Sequence, residues 1–182
     1  MTERWTISPL PVDHPDAVGL LREYMTDVAS RYYGRPATDA EVDTALAEDS
    51  HADLMPPTGV LLVARRDDGS LAGCVGTRLV EDGLTLLTRM YVRPDARGQR
   101  GGERLVAAAE DAARGMGARV MRLDTRKDLV EARALYARTG YVEVEPFNNG
   151  KYADHWFSKN LAQVSAPAPA FSPLNAGQGA TE

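Results

Sequence analysis

The chain has 182 residues with 43% hydrophobic residues and a formal net charge of −5. That length suits one domain with a real core, and the acidic balance argues against general nucleic-acid binding. No run reaches the ~18 to 20 apolar residues that a membrane-spanning helix needs. The N-terminal stretch lacks the apolar core of a signal peptide, and the single Cys74 fits a reducing cytoplasm. Three scattered histidines and one cysteine give no zinc-ligand spacing, so no metal is expected.

The predicted elements follow in chain order. Trp5–Leu10 reads as a first strand, and Val18, Leu21, Met25 and Val28 mark the buried face of a first helix. The segment 31–36 breaks that helix. Thr38-Asp39-Ala40-Glu41 is a capping-box pattern opening a second helix. Val60–Arg65 and Leu71–Val80 read as strands joined by an Asp-Asp-Gly-Ser turn, and Leu84–Val92 as a third after Glu81-Asp82-Gly83. A Gly/Arg-rich loop then leads into a helix carrying Leu105, Ala109, Ala112 and Met116 at steps of three and four. A strand at 119–124 and a helix over 131–139 follow, the latter ended by Gly140 as a left-handed cap. Tyr141–Glu145 and Tyr152–Lys159 form a last pair of strands, and 1–162 make one domain. From Gln163 the Ala/Pro/Gly-rich composition predicts a disordered tail. Cys74 sits between small and apolar residues and reads as core rather than nucleophile.

The loop at 92–105 is the chemical centre of the sequence. A strand that runs through glycines into a helix aims backbone N–H groups, and the positive end of the helix dipole, at an anion such as phosphate. The dinucleotide pattern G-x-G-x-x-G fails on spacing, and the P-loop fails because Glu103 and Arg104 follow Gly102. What stands here is V-x-P-x-x-R-G-x-x-G-G.

That loop resembles the pyrophosphate loop of the GNAT N-acetyltransferase superfamily, usually Q/R-x-x-G-x-G/A. Arg97 matches its first position and Gly102 its last, while Arg100 stands where a glycine is usual. Arg100 would add a second cation for the phosphates. Ala132-Arg133-Ala134-Leu135-Tyr136-Ala137-Arg138-Thr139-Gly140-Tyr141 resembles the family's A-x-x-L-Y-x-x-x-G-F/Y segment. The resemblance covers about residues 60 to 160. It implies an α/β (α+β) GNAT fold: a mixed, mostly antiparallel sheet with one splayed parallel pair, flanked by helices. The cosubstrate it implies is acetyl-CoA, held by Met90, Tyr91, Val92, Arg97, Gly98, Gln99, Arg100, Gly101, Gly102 and Glu103. The asparagine that relatives often carry near the start of the second motif is replaced by Leu129, so that contact does not carry over.

The resemblance also assigns roles. The Met90 N–H would stabilise the oxyanion formed as an amine attacks the thioester. Tyr136 would donate a proton to the departing thiolate, a phenol being protonated at neutral pH. An ammonium acceptor must lose a proton, at a cost of about 4.6 kcal/mol at pH 7. The central strand carries no carboxylate for this; Glu81, Asp82 and His155 are candidates through water but read first as surface residues, and an amine delivered with a lowered pKa, or a water chain, needs no dedicated base. Tyr32, Tyr33 and Arg35, between the first two helices, would wall the acceptor site, where tyrosines and arginines suit a small acceptor bearing a carboxylate. The expected activity is acetyl transfer to a small-molecule amine in a ternary complex in the cytoplasm, without nucleic acid or membrane. A non-catalytic acyl-CoA-binding module is the alternative. Relatives also pair through their last strands, so a homodimer is a further expectation.

Overall fold

The computed structural model describes residues 3–162, and the tail expected from Gln163 lies outside the described residues. Seven strands form one sheet in the order β1-β2-β3-β4-β5-β7-β6. They are β1 Trp5–Pro9, β2 Gly59–Arg66, β3 Leu71–Glu81, β4 Leu84–Val92, β5 Val120–Thr125, β6 Val142–Val144 and β7 His155–Asn160. Every neighbouring pair is antiparallel except β4 and β5. The helices are α1 Pro15–Tyr33, α2 Asp39–Glu48, α3 Gly101–Gly115 and α4 Val130–Arg138. This is the GNAT fold, in the element order expected from the sequence.

Two apolar layers sandwich the sheet. Leu105, Val106 and Ala109 of α3 and Leu135 and Tyr136 of α4 pack on Leu62, Val75, Met121 and Phe157. On the other face, Ala17, Leu20 and Leu21 of α1 pack on Leu61, Val63, Cys74 and Tyr91. Cys74 is fully buried, and burial pushes its thiol up to about 12, so it is a core residue, as the sequence suggests.

Local signals explain several boundaries. The Thr38 hydroxyl accepts from the Glu41 N–H at 3.2 Å, and the Glu41 carboxylate accepts from the Thr38 N–H at 2.9 Å, completing the capping box. Gly140 has φ 93°, and the Tyr141 N–H reaches back to the Tyr136 carbonyl at 3.0 Å. This closes α4 in a Schellman turn that a residue with a Cβ would strain.

Three expectations are corrected. Val18 is 53% exposed, because Ala17, Leu20, Leu21 and Met25 take the buried side of α1. The first helix does not break at Arg31 but runs through Tyr33 to a left-handed Gly34. Tyr152 precedes the last strand rather than starting it: it lies in a turn that the Ala153 N–H closes on the Gly150 carbonyl at 3.1 Å, with its ring edge-on to Tyr32 at 5.3 Å.

Gly101 is required by a close approach. A Cβ there would sit 1.8 Å from the Trp5 ring. Gly101→Ala is expected to cost about 1–3 kcal/mol of stability through overpacking, read as a lower midpoint in urea denaturation.

Candidate active site

The parallel pair β4–β5 supplies the opening. Its ladder holds only Leu84 with Val120, Thr85 with Met121 and Leu86 with Arg122. Beyond Leu86 the strands separate. On the other edge of β4, Tyr91 faces Cys74 and Thr88 faces Gly76, so Arg89 and Met90 together oppose Val75 alone. This is a β-bulge, which bends the strand and re-aims its backbone groups. Neither Arg89 nor Met90 has a ladder partner on β3 or β5.

A cleft of about 1220 Å³ occupies this opening. Tyr24 and Tyr32 of α1, Met90 of β4, Gly102 of α3 and Tyr136 of α4 all line it. One end reaches the loop before α3. There Gly98 has φ 81°, and Arg100 has φ 59° and caps the helix from a left-handed conformation. The first amides of α3, including those of Gly101 and Gly102, have no intrahelical acceptor and carry the positive end of the dipole. The residues present therefore fit a diphosphate at this mouth and an extended amide-bearing chain along β4.

The cations of the loop are differently committed. Arg97 donates Nε–H to the Val92 carbonyl at 3.0 Å, bracing the loop against the end of β4. Arg100 is turned onto Glu103, with Nη2 at 2.8 Å and Nε at 3.1 Å from one carboxylate oxygen. The second Glu103 oxygen accepts from Arg138 of α4 at 3.2 Å. The Arg100 hydrogen bond is the main reason the Glu103 carboxyl lies below its ordinary range. Gln99 differs from its neighbours. It is absent from the cleft wall, and its side-chain oxygen is buried without a partner.

Tyr136 is 5% exposed, its ring set edge-on against Tyr141 at 5.9 Å and tilted against Phe157 at 6.0 Å. Burial, followed by the neighbouring Tyr24 and Asp124, pushes its phenol well above the ordinary range. The hydroxyl therefore stays protonated at neutral pH.

Of the three residues expected to wall an acceptor, two line the cleft and one does not. Tyr32 and Tyr33 line the cleft, and their rings meet edge-on at 5.3 Å. Arg35 is not on the wall. Its guanidinium binds Glu41 through two nitrogens, at 2.7 and 3.0 Å, and stacks on Tyr33 at 4.8 Å. It closes the turn between α1 and α2, and holds the Glu41 carboxyl at about 2. Arg31 instead spans the cleft to Glu131 of α4. Neither Glu81, Asp82 nor His155 lines the cleft; His155 Nδ1 sits 2.6 Å from Glu143. Carboxylates that do line it include Glu48, Asp49 and Asp53.

Sequence reasoning missed the group beneath the bulge. Arg89 is 9% exposed with φ 54°, a left-handed value that costs a residue with a Cβ about 1–2 kcal/mol. Its Nη2 lies 2.7 Å from Asp49, and its Nε–H donates to His51 Nδ1 at 3.1 Å. No local pattern announces this, since Asp49 and His51 reach Arg89 from about forty residues away. Burial, then Arg89, lowers the pKa of His51. The folded state therefore prefers neutral His51, and its contribution to stability is complete above about pH 6.5. It is lost as pH falls from there through the lowered folded value. His51→Gln is expected to flatten that loss, seen by comparing urea midpoints at about pH 7.5 and 5.5.

Fold and cleft together define an acyl-CoA-dependent N-acetyltransferase. The chain belongs to the acetyltransferase (GNAT) family, whose sequence model matches residues 22–141. It is 34% identical over 139 residues to an uncharacterized N-acetyltransferase of Schizosaccharomyces pombe, covering 76% of this chain and 82% of that one. It is 36% identical over 106 residues to an IAA acetyltransferase of Azospirillum brasilense, covering 56% and 69%. The PaiA N-acetyltransferase of Thermoplasma acidophilum, solved with coenzyme A, shares the fold at TM-score 0.67 and 17% identity, over 86% of this chain and 99% of that one. Among the described residues no helix is long and apolar enough to cross a membrane, and no cluster of three or more metal-ligand side chains occurs.

Proposed function

We propose that the chain transfers the acetyl group of acetyl-CoA to a primary amine of a small molecule by direct attack in a ternary complex. The observation that carries this reading is the bulge at Arg89 and Met90. It leaves the Met90 backbone without a ladder partner on either side, in the gap where β4 and β5 part.

In this reading the diphosphate lies over the amides from Gly98 to Glu103, near Arg97. The pantetheine arm runs along Met90, Tyr91 and Val92. The amine nitrogen attacks the thioester carbonyl carbon, and the Met90 N–H donates to the oxygen as charge builds there. One such donor is worth roughly 3–4 kcal/mol of barrier. The C–S bond breaks, Tyr136 gives its hydroxyl proton to the departing sulfur, and the proton that the amine loses passes through water and restores the Tyr136 hydroxyl. Aromatic rings from Tyr32, Tyr33 and Tyr152 bound the acceptor end. Arg78 supplies a guanidinium there that is free of ion pairs among the described residues, which suits an acceptor carrying a carboxylate.

Thiol release from acetyl-CoA, followed across amines with and without a carboxylate, tests the proposal. Turnover of a carboxylate-bearing amine above plain alkylamines supports it. Tight acetyl-CoA binding with no thiol release from any amine would identify a binding module instead.

A further inference from the structure

We infer that Arg89 is a positioning residue: clamped by Asp49 and His51, it holds β4 in the bulge that aims the Met90 N–H at the thioester oxygen. The inference rests on the role given to Met90 above.

A residue with a Cβ adopts φ 54° inside a strand only where its surroundings hold it there. Here every polar end of Arg89 is engaged. Nη2 meets Asp49 Oδ1 at 2.7 Å, Nε–H donates to His51 Nδ1 at 3.1 Å, and Nη1–H donates to the Thr88 hydroxyl at 2.9 Å. The guanidinium lies 5.9 Å from the centre of the Tyr24 ring, and the Arg89 carbonyl accepts from Cys74 Sγ at 3.5 Å. A planar guanidinium addresses Asp49 and His51 together in fixed directions, which a lysine ammonium cannot do.

The clamp also joins two parts of the cleft. Asp49 caps the C-terminus of α2, its N–H bonding the Ala45 carbonyl at 3.2 Å. Glu48 and Asp53, on either side in sequence, line the acceptor end. One guanidinium thus ties the acceptor wall to the strand that carries the oxyanion donor. A displacement of the loop after α2 is transmitted to the Met90 amide.

The test compares Arg89→Gly, Arg89→Lys and Asp49→Asn with the unaltered protein. Glycine accepts φ 54° freely, so Arg89→Gly permits the bulge but removes the clamp. Thiol-release kcat is expected to fall about 10- to 100-fold in Arg89→Gly and less in Asp49→Asn and Arg89→Lys, with acetyl-CoA Kd within about threefold. Amide hydrogen exchange at Thr88 and Tyr91, the paired residues on either side of the bulge, is expected to quicken in all three, a readout that needs no acceptor. Unchanged exchange there in folded Arg89→Gly would overturn the inference. So would parallel losses of kcat, cosubstrate affinity and thermal stability, which mark a merely structural ion pair. If the unaltered protein releases no thiol with any amine while exchange at Thr88 and Tyr91 still responds, the clamp stands and the proposed activity falls.

Discussion

Tyr136→Phe is expected to lower kcat about 100-fold while leaving the acetyl-CoA Kd within about twofold. The substitution removes one hydroxyl and keeps the ring that packs on Tyr141 and Phe157. The ring's packing of α4 against the sheet therefore survives, and thermal stability should barely move. The effect arises because the departing thiolate then leaves without a proton donor. Burial makes this phenol harder to ionise than a free tyrosine, so the acid form persists at alkaline pH. Steady-state thiol release paired with calorimetric titration separates the two quantities. An unchanged kcat would remove Tyr136 from the chemistry and leave it a packing residue.

Gly102→Glu is expected to weaken CoA binding about 100-fold or more, equivalent to roughly 2.7 kcal/mol. The substitution sets a carboxylate at the mouth of α3, where the helix dipole and free amides otherwise favour an anion. The fold should tolerate it. A Cβ at Gly102 meets only the Leu135 methyls, at 3.0 and 3.4 Å, and these belong to a side chain that can shift. Gly101 offers no such room, because Trp5 fills the space beside it. Calorimetry on a variant with native circular dichroism reads the affinity directly. Normal CoA affinity in that variant would displace the diphosphate from this loop.

Much of this architecture is written in local pattern. The Thr38/Glu41 capping box, the Gly140 turn, the apolar runs of β2 and β3 and the alternation of β4 depend on neighbours in sequence, so composition and spacing reveal them. The loop from Arg97 to Gly102 is legible for the same reason. What escaped depends on which partner each side chain takes, near or far along the chain. Arg35 has the residue type of an acceptor ligand, but Glu41 takes its guanidinium. Tyr152 reads as a strand residue, yet it sits in the turn from Gly150 to Ala153, its ring edge-on to Tyr32. The bulge is the clearest case. An arginine with positive φ has no local preference for that conformation, and the partners that engage its guanidinium from afar, Asp49, His51 and Tyr24, are brought up by α1, the end of α2 and the loop after it.

A crystal structure with coenzyme A addresses the central assignment most directly. The diphosphate should contact the amides between Gly98 and Glu103, and the pantetheine should lie in the gap between β4 and β5 with its thiol end between Met90 and Tyr136. A cosubstrate bound against another face of the sheet, or no binding at millimolar CoA, would contradict the account.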